Sequence, residues 1–328
     1  MGERAGEGDS DDRVGEPDAG SVRGGDAVDA GVAALTALRA IADRLDELEP
    51  AALADEPDAV HQLRTHVRRL RSVLAAFAPL FDAGMVHSVR RSYREFGSEL
   101  GTVRDIEVRV QVAEAALADG AEDWGLDPAV RAAMRARLID DAIEAHRLAH
   151  ARLVERQGMP RAAARRDLLA AFLDAPVRTP RADEPAADEL ARLLEREAKR
   201  AVRHARRVDA ASGTERLHEA RKAGRRLRYA AEAVTEEPVA LFGDRVHDLA
   251  EAGEALHDVL GDHRDEVLFA EHVRRAGAHA AHDGEPIDAY ERLARAADRR
   301  ADERLDELAK VVGDLEDAAK AWRERSPG

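Results

Sequence analysis

The stretch HQLRTHVRRLR at residues 61–71 returns as HEARKAGRRLRY at 218–229, and this recurrence constrains the fold more than any other feature of the chain. A second motif follows each copy, LGTVRD at 100–105 and LGDHRD at 260–265. The first pair lies 157 residues apart and the second 160, so order and spacing persist across half of the 328 residues. An internal duplication explains this better than coincidence. It predicts two helical bundles of similar build, related by a pseudo-twofold axis.

Composition then selects the kind of element. Apolar residues make up 45% of the chain but aromatics only 3%, so any core is built largely from Ala, Leu and Val. Alanine, leucine and arginine favour helix, strand formers are scarce, and no alternating pattern competes. The fold class is therefore all-α. VAALTALRAIADRLDELEP carries Leu35, Leu38, Ile41, Leu45 and Leu48 on one stripe, and Pro50 is expected to end that helix. Further helices are expected from about Pro57 to Pro79, then over 84–119, 128–156, 186–209, 214–235, 238–260, 264–281 and 286–324. The segment 158–185 holds four prolines and reads as a linker with at most one short helix. Residues 1–26, rich in Gly, Asp and Glu, are expected to be a disordered acidic tail. The chain thus divides into that tail, a first helical half at 27–157, the linker, and a second half at 186–325.

Several function classes drop out. The chain has no cysteine, which removes disulfides, thiolate zinc sites and cysteine nucleophiles. No apolar run approaches the ~18 residues of a membrane span, and the acidic N-terminus does not resemble a signal peptide. The expected compartment is the cytoplasm. No P-loop, Gly-x-Gly-x-x-Gly turn or Ser/His/Asp arrangement is present.

On a helix the repeated stretch sorts by face. At 100° per residue His61, Arg64, Arg68 and Arg71 fall within about 80° of one another, with Leu63, Val67, Leu70, Leu74 and Phe77 opposite. The second copy puts His218, Arg221, Arg225 and Arg228 on the same face, beside Lys222 and Tyr229. Neither stripe has an acidic partner three or four residues away within the face, so helix salt bridges do not account for it. The whole chain carries a formal charge of −15, which makes the crowding more conspicuous. Of its 51 Lys and Arg residues only four are lysine, and arginine's planar fork grips phosphate bidentately. Four cations in line suit a linear polyanion. Helix 186–209 adds Arg196, Lys199, Arg200, Arg203 and Arg207, although its Glu195 and Glu197 leave open a partly salt-bridged surface, and helix 84–96 adds His87, Arg90, Arg91 and Arg94.

The histidines do not make a metal site by pattern. His146 and His150 are i, i+4 and His279 and His282 are i, i+3, but no HExxH or Glu-x-x-His cluster accompanies them. They read as chance spacing on a surface, and no metal or cofactor is expected. Neighbouring cations disfavour the protonated forms of His61 and His218, which read as phosphate hydrogen-bond donors rather than nucleophiles. Asp105 and Asp265 read as acids that orient a nearby arginine. Nucleic acid is the competing ligand class, since its backbone is also a phosphate chain. Single-strand binders add aromatic platforms, however, and only Tyr229 stands near the motif. A net charge of −15 also repels a duplex. A general polyanion sink, a metal-binding or phosphohistidine accessory role, and a structural scaffold stay open as alternatives.

VHQLRTHVRRLRSVLAAFAPLF with LGTVRDIEV, and LHEARKAGRRLRYAAE with LGDHRD, resemble the CHAD domain, the conserved histidine α-helical domain, over about residues 28–325. The resemblance implies two pseudo-symmetric helical bundles with a basic channel between them. It also implies non-catalytic binding of inorganic polyphosphate and association with polyphosphate granules. It places His61, Arg64, Arg68, Arg71 and Arg104 of the first half along that channel. From the second half it places His218, Arg221, Lys222, Arg225, Arg228, Tyr229 and Arg264 there, and Arg203 and Arg207 are expected to join them. Two departures stand out: Thr65 sits where the second copy has Lys222, and Gly224 interrupts the second motif helix at a cost of about 1 kcal/mol against alanine. Gly224 reads as permitting close helix packing. The Glu-x-Glu-x-Lys strand motif of the triphosphate-tunnel domains often fused to CHAD domains is absent, so a stand-alone CHAD protein is expected.

Overall fold

Leu35, Leu38, Ile41, Leu45 and Leu48, spaced to fall on one side of a helix, are all buried on α1 (Ala30–Leu53). That helix runs three residues past Pro50, contrary to the expected stop, and the Ala54 N–H bonds to the Pro50 carbonyl at its end. A computed structural model describes residues 28–119, 127–209 and 212–325. The acidic tail expected at 1–26 lies outside the described residues.

The chain is all-α. After α1 come α2 (Ala59–Ala76), α3 (Ala83–Asp119), α4 (Pro128–Arg135), a π-helical turn (Ala136–Asp140), α5 (Asp141–Gln157) and α6 (Pro160–Asp174). Then follow α7 (Ala186–Ala205), α8 (Thr214–Thr235), α9 (Asp244–His282), α10 (Asp288–Asp306) and α11 (Leu308–Arg325). No strand forms among the described residues; two isolated bridges join Asp29 to Pro185 and Phe81 to Arg178. The repeated motifs occupy matching elements, with the His-Arg stretch on α2 and α8 and the LG-x-x-RD stretch on α3 and α9. α2 packs on α3 as α8 packs on α9, while α1 meets α7 and α2 meets α8 across the middle. One apolar core runs from Ala30 of α1 to Trp322 of α11 and joins the two sides. A smaller cluster around Met134, Leu138, Phe269, Tyr290 and Leu293 fastens α4 and the π-turn to α9 and α10.

Three expectations from the sequence need correction. The segment 158–185 is packed structure, not a spacer: α6 is 15 residues long and buries Leu169, Phe172 and Leu173. Its prolines do not break it, because Pro160 stands in the first turn of α6 and Pro180 in that of a 3-10 turn, where a missing N–H costs nothing. The buried Arg165 guanidinium lies over the Phe96 ring at 3.7 Å and bonds to Gln157 at 2.8 Å, docking α6 on α3. Secondly, 238–260 and 264–281 are not two helices. α9 runs unbroken through LGDHRD, as α3 does through LGTVRD, because Gly261 and Gly101 keep helical backbone. Thirdly, 286–324 is two helices: a turn at Glu307 separates α10 from α11, and Leu305 and Leu308 on either side are both buried.

Candidate functional site

The arginine faces of α2 and α8 turn toward each other. Burial and like charge act together on Arg225: desolvation, then Arg68 and Arg221, bring its guanidinium down to about 9. Arg68 falls to about 10, through burial first and then Arg221, Arg64 and Arg71. The Nε of each is buried without a hydrogen-bond partner. Arg225 has no ion pair with any described residue; Arg68 donates from its terminal nitrogen to His257 Nε2 at 2.6 Å. That imidazole is neutral, with burial holding it near 4, and its Nδ1–H donates to Asp258 at 3.0 Å. Buried, uncompensated cations of this kind cost stability unless an anion meets them.

The LG-x-x-RD motifs explain themselves here. A Cβ on Gly101 would sit 3.4 Å from the Arg64 guanidinium, and one on Gly261 would sit 3.0 Å from that of Arg221. The glycines therefore seat the first arginine of each stripe against bare helix backbone. The following acids complete each seat. Asp105 pairs with Arg64 at 3.1 Å, and Asp265 is the nearest opposing charge to Arg221, whose Nε also donates to the His257 carbonyl at 3.4 Å. The expected orienting role of both acids thus falls on the stripe arginines rather than on the adjacent Arg104 and Arg264.

The rims differ. His61 is held below its ordinary value by burial and then by Arg104, and His218 by burial and then by Lys222 and Arg264. Arg104 is tied to Glu107 at 2.9 Å and lies 4.0 Å from Asp58. In the second copy Arg228 is neutralised: it pairs with Glu232 at 2.6 Å and with Glu254 at 2.7 Å. Lys222 pairs with Glu219 at 2.9 Å. The second stripe therefore does have helix partners, a correction to the expectation of an unpaired face. Glu232 lies one turn beyond the repeated window, and Glu219 stands three residues before Lys222 inside it. Tyr229 is 6% exposed, so its ring offers no platform to a ligand. Arg71 keeps no carboxylate; its neighbours are Arg94 and Arg90. Arg203 lines one cavity with Arg200 and Arg226 and shares a second with Arg207, Glu316 and Arg323; neither cavity contains a stripe residue.

His257 was not singled out by the sequence, although it precedes Gly261 by one helical turn and so shares the motif's face. The first copy has Gly97 at the matching position, which hides the signal. His146 and His150 are not surface chance either. His150 is buried and reaches the Ala52 carbonyl at 2.9 Å, while His146 contacts Glu107 at 3.1 Å and lies 3.8 Å from Asp55. Asp55, Glu107 and His146 bring three ligating atoms within 4.8 Å of one another, and the contacts of His146 tie α5 to α3 and to the α1–α2 turn.

Fold and site together define an all-helical protein that turns two matched arginine stripes toward a shared interior. Residues 36–274 match the family model of the CHAD domain, and the chain belongs to that family. Among curated proteins it is 30% identical over 266 residues to the uncharacterized proteins MT2285 and Rv2226 of Mycobacterium tuberculosis. The match takes in 77% of this chain, which spans about half, 47%, of the length of those relatives. Among solved structures, the crystal structure of the CHAD domain from the plant Ricinus communis is similar, with a TM-score of 0.65 at 20% identity over 91% of this chain and 95% of that one. PptA from Streptomyces chartreusis follows, with a TM-score of 0.60 at 22% identity over 90% and 98%. At those identities the likeness is one of fold.

Proposed function

We propose that the arginine face between α2 and α8 binds inorganic polyphosphate without turning it over, and that the two halves are copies of one ancestral unit flanking that site. The observation that carries this reading is the buried pair Arg68 and Arg225, whose Nε groups lack partners and which have Arg64, Arg71 and Arg221 close by. A chain of phosphates supplies closely spaced oxygens for charge-assisted, often bidentate hydrogen bonds. Some CHAD domains bind polyphosphate, and the family consists in general of binding modules rather than enzymes. His61, Arg64, Arg71, Arg104, His218, Arg221, Lys222 and Arg264 would surround the two central arginines. The buried Tyr229 ring disfavours stacked bases, which speaks against nucleic acid. Among the described residues no helix is long and apolar enough to cross a membrane. The reading extends to a cytoplasmic protein that attaches to polyphosphate granules.

Two substitutions test it. Arg68→Ala should weaken long-chain polyphosphate binding by about tenfold to a hundredfold, the worth of a charge-assisted hydrogen bond. Arg225→Met should weaken it similarly while leaving the melting temperature of the free protein unchanged or raised, because a buried cation with no counter-ion gives way to an apolar chain of similar length. Titration at fixed salt and thermal melts read both. Unchanged affinity in the two variants would place the ligand elsewhere.

A further inference from the structure

We infer a second anion subsite between the arginines of α3 and α7, built by Arg90 and Arg94 with Arg200 and Arg203, which takes further phosphates of the same polyphosphate chain beyond Arg71. The inference rests on the reading of the α2–α8 face given above.

The two ends of the stripes have been treated differently by the chain. Arg71 and Arg228 are matching positions of the repeat. Beside Arg228 the second copy places Ala250 and Glu254, and Glu254 closes that end as an ion pair. At the corresponding positions beside Arg71 the first copy places Arg90 and Arg94. The last arginine of the second stripe is neutralised and that of the first is flanked by further cations, so a linear ligand leaving the centre on the α2 side finds more cations.

That direction leads onto α7. The cations acting most strongly on Arg90 are Arg226, Arg94 and Arg200, and Glu197 opposes them. Glu197 is 2% exposed and already engaged, accepting from Arg226 at 2.5 Å and from Arg196 at 3.1 Å. Arg90 and Arg200 consequently repeat the signature of the centre: each has a buried Nε with no hydrogen-bond partner, and burial with neighbouring cations lowers each guanidinium below its ordinary value. Arg200 and Arg203 line an open cavity of about 440 Å³ beside Arg226. A phosphate chain passing from Arg71 over Arg90 to Arg200 would meet donors whose hydrogen bonds the protein leaves unmade. Arg203, predicted from the sequence as a site residue, belongs to this subsite and not to the α2–α8 face.

The test separates the two sites by ligand length. The double variant Arg90→Ala/Arg200→Ala is titrated with inorganic tripolyphosphate and with long-chain polyphosphate over a range of salt. Long-chain affinity should fall by about tenfold or more and the salt slope by about two, one for each phosphate contact removed. Tripolyphosphate, short enough for the central stripe alone, should bind the variant and the parent protein equally, which also shows that the variant is folded. Equal binding of long chains by variant and parent overturns the subsite while leaving the central site standing, as does an equal loss for both lengths. A parent protein that binds neither ligand overturns both.

Discussion

His61 and His218 open the two arginine stripes, and both are neutral for the same reason, burial and then cationic neighbours that hold them below 6.5. The folded chain therefore binds fewer protons at these positions than the unfolded chain, so stability falls as pH drops below 6.5. A bound polyanion reverses the sign of the surrounding potential and raises both values. Polyphosphate affinity should accordingly increase as pH falls from about 7.5 to 5.5, by up to about tenfold for each pKa unit recovered. Titrations at the two pH values check this, and the increase should vanish in His61→Gln/His218→Gln. The stripe residues themselves were legible because their spacing is local: four positions on one helix face show in the sequence. Which partner each arginine takes was not. Asp105 reaches Arg64 from α3, His257 reaches Arg68 from α9, and Glu254 reaches Arg228 from α9, all contacts that exist only after the helices pack.

Gly224 shows how much an element's sequence reveals about its neighbour. On propensity alone Gly224→Ala should stabilise α8 by about 1 kcal/mol. In the packed pair, a Cβ there would lie 2.8 Å from the Gly253 carbonyl oxygen, and a Cβ on Gly253 would lie 2.8 Å from that of Gly224. Backbone cannot yield as a side-chain tip does, so overpacking of about 1–3 kcal/mol wins and the substitution should destabilise. A chemical denaturation curve decides the sign. The expectation of close packing at Gly224 is thus met, and its partner is a second glycine; the first copy has Val67 and Tyr93 at these positions. Helix type and most helix cores were legible from periodicity, as for α1 and α2. Boundaries failed where a usual breaker was harmless or where none marked the break. The prolines at α6 sit at starts, the motif glycines sit inside long helices, and the turn at Glu307 carries neither residue.

At the scale of the molecule, an outwardly acidic chain of formal charge −15 encloses a line of arginines. Repulsion among those cations is tolerated because one continuous core, from α1 to α11, holds the elements that carry them. Under the proposed function the same contrast is expected to set selectivity, the interior attracting a thin flexible polyanion and the exterior repelling a bulky one. The all-α class was legible in the composition, and the pairing of motifs in the recurrence. The convergence of α2 and α8 needed the structure, because nothing local in either stripe says which helix faces it. The most direct measurement is a competition titration, in which labelled long-chain polyphosphate bound to the protein is challenged with single-stranded RNA, duplex DNA, heparin and orthophosphate at matched charge and two salt concentrations. The account predicts that none of them displaces polyphosphate efficiently and that binding survives at the higher salt. Equal displacement by RNA or heparin would contradict it, leaving the stripes a general sink for polyanions.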